Sequence, residues 1–194
     1  MRHAKLQAAT AAFLQAGDYQ ATDSGILVHD AIMLSGRYFH SVNGQDERID
    51  HNLIPAAGIL HILDTVLRNQ AVNPAWYVAP YSGAVTPASN LTAANFASTV
   101  SEITSGTEGY SQTTRPQWVP SVAAAGAINN LAAKASFTIV CTTTLNINGA
   151  GLLSANAKGA TSGVLVSASR FAATRVVNNG DTWECGYEIA LTDS

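Results

Sequence analysis

The side chains able to do chemistry are few and poorly spaced for it. The histidines are His3, His29, His40, His51 and His61. None forms a His-x-x-x-His pair, and no Cys-x-x-Cys exists, so the usual zinc spacings are missing. His51 and His61 stand ten apart, which reads as a strand-end residue and a helix-surface residue. His29-Asp30 would supply two members of a hydrolytic triad, but neighbours on a strand point to opposite faces, and no Gly-x-Ser-x-Gly elbow brings a nucleophile. Asp46, Glu47 and Asp50 cluster beside Asn43-Gly44, yet they lack the alternating ladder and distal Glu of a calcium loop. A solvated turn is the expectation there. No glycine-rich phosphate loop leads into a helix. Trp76, Tyr77, Tyr81, Tyr110 and Trp118 fit either a sugar-stacking face or anchors of a core or interface. Cys141 and Cys185 are too few for a disulfide framework and read as core thiols or a single bridge between strands. The expectation is a non-enzymatic protein with no cofactor and no metal.

The elements that would position these groups are mostly strands. Phe137, Ile139, Cys141, Thr143, Leu145 and Ile147 alternate with Ser136, Thr138, Thr142, Thr144 and Asn146. Trp183, Cys185, Tyr187, Ile189 and Leu191 alternate with polar partners in the same way, after an Asn179-Gly180-Asp181 turn. Period two over such lengths means half-buried strands. Upstream, Ile26–Leu34 and Arg37–Val42 are strand candidates separated by a Ser35-Gly36 turn, and Asn43-Gly44 is the strongest hairpin signal in the chain. Gly149 and Gly151 are expected to break or kink the strand before them.

Two helices are expected in the first half, at about 55–68 and 92–104. In the first, Leu53, Ala57, Leu60, Leu63 and Leu67 make one apolar stripe, and Ile59, Ile62 and Val66 make another. Such a helix asks to be buried on two sides. Residues 2–16 carry a thin stripe of Leu6, Ala9, Phe13 and Ala16, giving a helical N-terminal arm over 1–24 that needs a partner surface. The expected fold is mainly β: a β-sandwich of jelly-roll type over 25–194, with that arm and two inserted helices.

Composition narrows the function class. Hydrophobic residues make up 47% and charged residues only 12%, about half the usual share. A surface so poor in charge suits a subunit packed against neighbours, or else a neutral monomer coated in Thr, Ser and Asn. The net charge of −3, with no basic run, argues against nucleic acid, and no stretch is apolar for the length of a membrane span.

His51-Asn52-Leu53-Ile54, the helix to Leu67, Trp76-Tyr77-Val78, Tyr110 and Thr114-Arg115-Pro116-Gln117-Trp118 resemble segments of small tailed-bacteriophage virion proteins. So do Ala135–Ile139, Gly149-Ala150-Gly151, Lys158-Gly159 and Val177–Thr182. The resemblance runs from about residue 37 to the end. It implies a structural protein of the particle: a capsid decoration (cement) protein, or a tail or tail-fibre subunit. A carbohydrate-binding receptor module is the alternative from another class. The expected partners are other virion proteins, the major capsid protein first, and further copies in a dimer or trimer, with no nucleic acid and no membrane. Expected contact residues are Leu6, Phe13, Trp76, Tyr110 and Trp118. The expected location is the virion, after synthesis in a reducing bacterial cytoplasm, where Cys141 and Cys185 would stay thiols.

Overall fold

The structure, a computed structural model, describes the backbone of residues 19–22, 25–28 and 32–193 and the side chains of residues 33–192. The expected arm helix lies outside the described residues, as do Leu6, Phe13 and the His29-Asp30 pair. The chain divides into two compact units, Met1–Met33 with Leu191–Ser194, and Leu34–Ala190. In the first, β1 (Tyr19–Thr22) and β2 (Gly25–Val28) form an antiparallel hairpin with Tyr19 opposite Val28.

The larger unit is built on two antiparallel sheets and two helices. β3 (Ile32–Val42) and β4 (Gln45–His51) are followed by α1 (Ala56–Leu67), β5 (Trp76–Tyr81) and α2 (Ala93–Val100). Then come β6 (Gly109–Tyr110), β7 (Gln117–Trp118), β8 (Ala127–Asn129), β9 (Ala135–Val140), β10 (Thr144–Leu153), β11 (Leu165–Asn178) and β12 (Thr182–Asp193). One sheet has the order β4-β3-β12-β9-β6, with β8 also paired to β12; the other has β11-β10-β5-β7. Tyr38, Phe137, Ile139, Trp183, Cys185 and Tyr187 from the first and Val78, Ile147, Leu152, Phe171 and Val177 from the second share one apolar core. Both cysteines are free thiols within it. A second cluster forms where Phe96 and Val100 of α2 meet Tyr81, Leu153 and Leu165.

Local chemistry accounts for the element ends. Val42 pairs with Gln45 across Asn43-Gly44, and both turn residues have positive φ, 52° and 69°. That is the two-residue hairpin geometry Asn-Gly favours. At the start of α2 the Thr92 N–H donates to Asn95 Oδ1 at 2.8 Å, and Ser101 in the left-handed region stops the helix at Val100, short of the expected 104.

Three expectations need correction. The run from Ser136 to Ile147 is two strands in different sheets. Between them the Cys141 N–H donates to Asn179 Oδ1 and the Thr142 N–H to the Glu108 carboxylate, so side chains replace the ladder and the chain crosses layers. The apolar phase survives because both strands turn the same face to one core. Ser35-Gly36 is no turn: β3 runs through it, and Gly36 is needed because a Cβ there would stand 2.7 Å from Asn52 Oδ1 and closer still to the Tyr187 hydroxyl. Gly149 and Gly151 do not end β10, which runs on to Leu153; of the two expected outcomes the irregularity is present, as a register shift between Ile147 and Gly149, and the two glycines let Tyr81 and Phe96 pack directly on the backbone.

Candidate assembly interface

α1 is held hard against the four-stranded sheet. Its approach is pinned by an isolated bridge in which Leu53 N–H donates to Ala168 O at 2.8 Å and Ala168 N–H returns a bond to Leu53 O at 3.0 Å. Gly58 then faces β11 so closely that an added Cβ would stand 2.7 Å from Val166 O. The inward side of the helix is therefore Gly58, His61, Ile62 and Thr65.

The outward side is aliphatic. Ile59, Leu60, Leu63, Val66 and Leu67 are 44%, 60%, 47%, 73% and 75% exposed, and Val72 just beyond the helix is 71% exposed. By residue size these fractions amount to roughly 600–700 Å², above the few hundred Å² of the largest patch on most soluble monomers. The two stripes called for burial on two sides, and the described part of the chain provides only one. The helix's own charges, Asp64 and Arg68, pair with each other at 3.0 Å one turn apart on its flank.

Beside α1 a cleft of about 350 Å³ opens between the sheets. Trp76, Trp118, Ile128, Leu152, Tyr187 and Ile189 line it, and Val66 and Val72 belong to both the cleft and the exposed patch. At its mouth Asn73 Nδ2 donates to His61 Nε2 at 3.0 Å, and the His61 ring sits edge-on to Trp76, centroids 5.5 Å apart.

The aromatic residues singled out in the sequence separate here. Trp76 is half-buried on the cleft wall. Trp118 is buried, its Nε1–H donating to Tyr187 O at 3.0 Å. Tyr110 is fully buried, edge-on to Phe137, with Lys158 Nζ 3.6 Å from its ring centroid. Tyr110 and Trp118 thus spend their surface inside the chain, as does Tyr81, so the five aromatics form no common sugar-stacking face.

The acidic cluster is fully engaged. Asp46 Oδ2 accepts from Arg175 Nη1 at 2.7 Å and Arg48 Nη2 at 2.8 Å, Glu47 pairs with Lys134, and Asp50 Oδ1 accepts from the Ala172 N–H at 2.7 Å. Hydrogen bonds from Arg175 and Arg48 hold the Asp46 carboxyl below its ordinary range. Among the described residues no three His, Cys, Asp or Glu side chains come together as a metal site, and no helix is long and apolar enough to cross a membrane.

One polar pair was not anticipated. His40 and Asp50 flank the Asn43-Gly44 hairpin, and the β3–β4 register brings His40 Nε2 to 2.8 Å from Asp50 Oδ2. His40 has no solvent exposure and stacks on Phe171 with centroids 3.8 Å apart, so no substrate reaches it. The pair latches β4 onto β11. No spacing in the sequence signals it: a regular two-residue hairpin would pair His40 with Glu47 and turn Asp50 to the other face, and it is the register shift between His40 and Val42 that makes Arg48 the partner of His40 and brings Asp50 to its side. The chain matches no protein-family model and no curated protein sequence.

Proposed function

We propose that this chain is a non-enzymatic structural subunit of an assembled particle, and within that class a bacteriophage capsid decoration protein that stabilises the shell through subunit contacts. The observation that carries the reading is the outward face of α1: five aliphatic side chains and Val72 in one uncharged patch, on a chain with only 12% charged residues. Leaving that patch in water is costly, at about 25 cal/mol per Å² of apolar surface, and a neighbouring subunit removes the cost. The described ionisable clusters support the same reading, because their members are spent on one another and on the backbone. The phage assignment rests on the resemblance over residue 37 to the end, and the jelly-roll connection of the two sheets on the regular spacing of short strands. On this reading the major capsid protein is a partner and the virion is the site of action.

The test is imaging of purified particles carrying the tagged protein, by negative stain with a gold label on the tag. Label distributed over the shell is expected. Label confined to the tail would replace the decoration role by a tail or fibre role, and unlabelled particles would remove the virion reading altogether.

A further inference from the structure

We infer that the outward face of α1 is a twofold seam that takes the same face of a second copy of this chain. The inference rests on reading that face as an assembly surface and names its occupant. The exposed positions fall in two overlapping runs, Ile59-Leu63-Val66 and Leu60-Leu63-Leu67, each with the four- and three-residue steps that let one helix receive the knobs of another. The occupant is therefore a helix.

The pattern also reads the same in both directions. Reversal about Leu63 exchanges Ile59 with Leu67 and Leu60 with Val66, and returns Leu63 to itself. An isologous contact demands this: residue i must meet j while j meets i. Two antiparallel copies of α1 would put Leu63 against Leu63 on the axis, with an Ile–Leu and a Leu–Val pair on each side. The face itself carries no charge to repel its own copy. Asp64 and Arg68 lie on one flank and neutralise each other, so the two pairs, which the twofold rotation brings to the same side of the seam, meet as net-neutral groups. The area is of the right order as well, since the exposed surface of the five aliphatic side chains and Val72, roughly 600–700 Å², is the most that each copy could bury there, against ~800 Å² per partner of a standard interface. Gly58 keeps the helix flat on β11 and leaves this whole ridge raised.

The experiment is sedimentation equilibrium of the full purified chain, free of particles, at concentrations from sub-micromolar to tens of micromolar. A monomer–dimer equilibrium is expected. Leu63→Glu places two carboxylates on the axis and should raise the dissociation constant at least about 100-fold, as loss of a central interface residue does. Circular dichroism checks that the variant keeps its fold, which an exposed position allows.

Cysteine cross-linking fixes the geometry. Leu63→Cys alone should oxidise to a covalent dimer, because the residue meets itself. Leu67→Cys alone should not, whereas Ile59→Cys mixed with Leu67→Cys should. A wild type that stays monomeric throughout, or a dimer indifferent to Leu63→Glu, overturns the inference. If the monomer still loads onto particles, the assembly reading stands and the occupant is another protein. If the dimer forms as described but particles carry none of it, the seam stands and the virion reading fails.

Discussion

The side chains of Glu102 and Arg115, both out of contact with solvent, face each other through two charge-assisted bonds: Nε donates to Oε1 at 2.8 Å and Nη2 to Oε2 at 2.7 Å. Nη1 donates to Ala155 O at 2.8 Å, and the Gly159 N–H reaches Glu102 Oε2 at 3.2 Å. Three connections outside the named strands are thereby fastened at one point: the segment after α2, which also bridges Tyr81 through Glu102, the approach to β7, and the 154–163 loop. The pair is bidentate, so its geometry repays part of the desolvation of two charges.

Removing one partner strands the other. Arg115→Met should cost about 3–5 kcal/mol, because Glu102 remains buried and unpaired. The double variant Glu102→Gln, Arg115→Met should recover much of that loss, since Gln keeps an acceptor for the Gly159 N–H. Urea unfolding of the wild type, both single variants and the double variant completes the cycle. A double variant as unstable as Arg115→Met would show that the loops depend on the guanidinium itself.

Trp183 and Glu184 are neighbours on β12 with opposite surroundings. Trp183 is fully buried, opposite Phe137 in the register, with ring centroids 4.8 Å apart. Glu184 is half-buried and accepts one bond from Ser41 Oγ at 3.2 Å. Trp183→Ala should cost about 3–5 kcal/mol, enough to leave little folded protein. Glu184→Ala should cost about 1 kcal/mol or less, one lost hydrogen bond. Soluble yield and thermal melts read both; a silent Trp183→Ala would mean that the shared core does not govern stability.

Period-two alternation made the strands legible, and Trp183, Cys185 and Tyr187 of the expected face are buried, whereas Ile189 is half-buried and Leu191 is exposed. The Asn43-Gly44 hairpin is legible from turn chemistry, and the first inserted helix from its two apolar stripes. What stayed hidden depends on distant partners. The break at Cys141–Thr143 is made by Asn179 and Glu108, which no local pattern links to it. Gly36, Gly149 and Gly151 look like turn glycines in the sequence, yet each makes room for an aromatic side chain from another element. Trp76, Tyr110 and Trp118 looked alike, and only their neighbours decide that Trp76 alone keeps part of its surface. The two stripes of α1 predict burial on two sides; that one side has no cover among the described residues appears only in three dimensions.

Stability should fall in mild acid through His40. Burial pushes its pKa below the ordinary 6.5; the bond to Asp50 acts the other way, and Arg175 and Arg48 nearby lower it further. The unfolded chain therefore binds a proton at a pH where the folded chain does not. The stabilisation is complete above about pH 6.5 and is lost as pH falls below that value toward the folded-state pKa. Asp50 holds the Nε2 proton, so a second proton would land on Nδ1, which is buried without a partner. Asp46 and Asp181, both held below the usual carboxylate range, act the same way only at lower pH, below about 4. Melting temperatures at pH 7.5 and 5.5 should drop more for the wild type than for His40→Gln, which can still donate to Asp50 but does not titrate. Equal drops would assign the acid loss to other groups.

Gly149 and Gly106 should respond to alanine in opposite senses. At Gly149 the backbone of β10 meets the Tyr81 ring and the carbonyl of Ser169 so closely that no Cβ fits. The Tyr81 hydroxyl also donates to that carbonyl at 2.8 Å, and Tyr81 is fully buried. A methyl group there must displace a buried ring, break its hydrogen bond, or push β11 away from β10, and Ser169 is the register partner of Ala150 in that pairing. Overpacking of this kind costs about 1–3 kcal/mol, and more where backbone must move. Gly106 lies in the turn before β6 with nothing within 4 Å of an added Cβ and no positive φ. Alanine there restricts only the unfolded chain and should leave stability unchanged or raise it by up to about 1 kcal/mol. Chemical unfolding of Gly149→Ala and Gly106→Ala beside the wild type reads both effects. A Gly149→Ala protein as stable as the wild type would show that β10 and Tyr81 can separate freely, contrary to the close packing described.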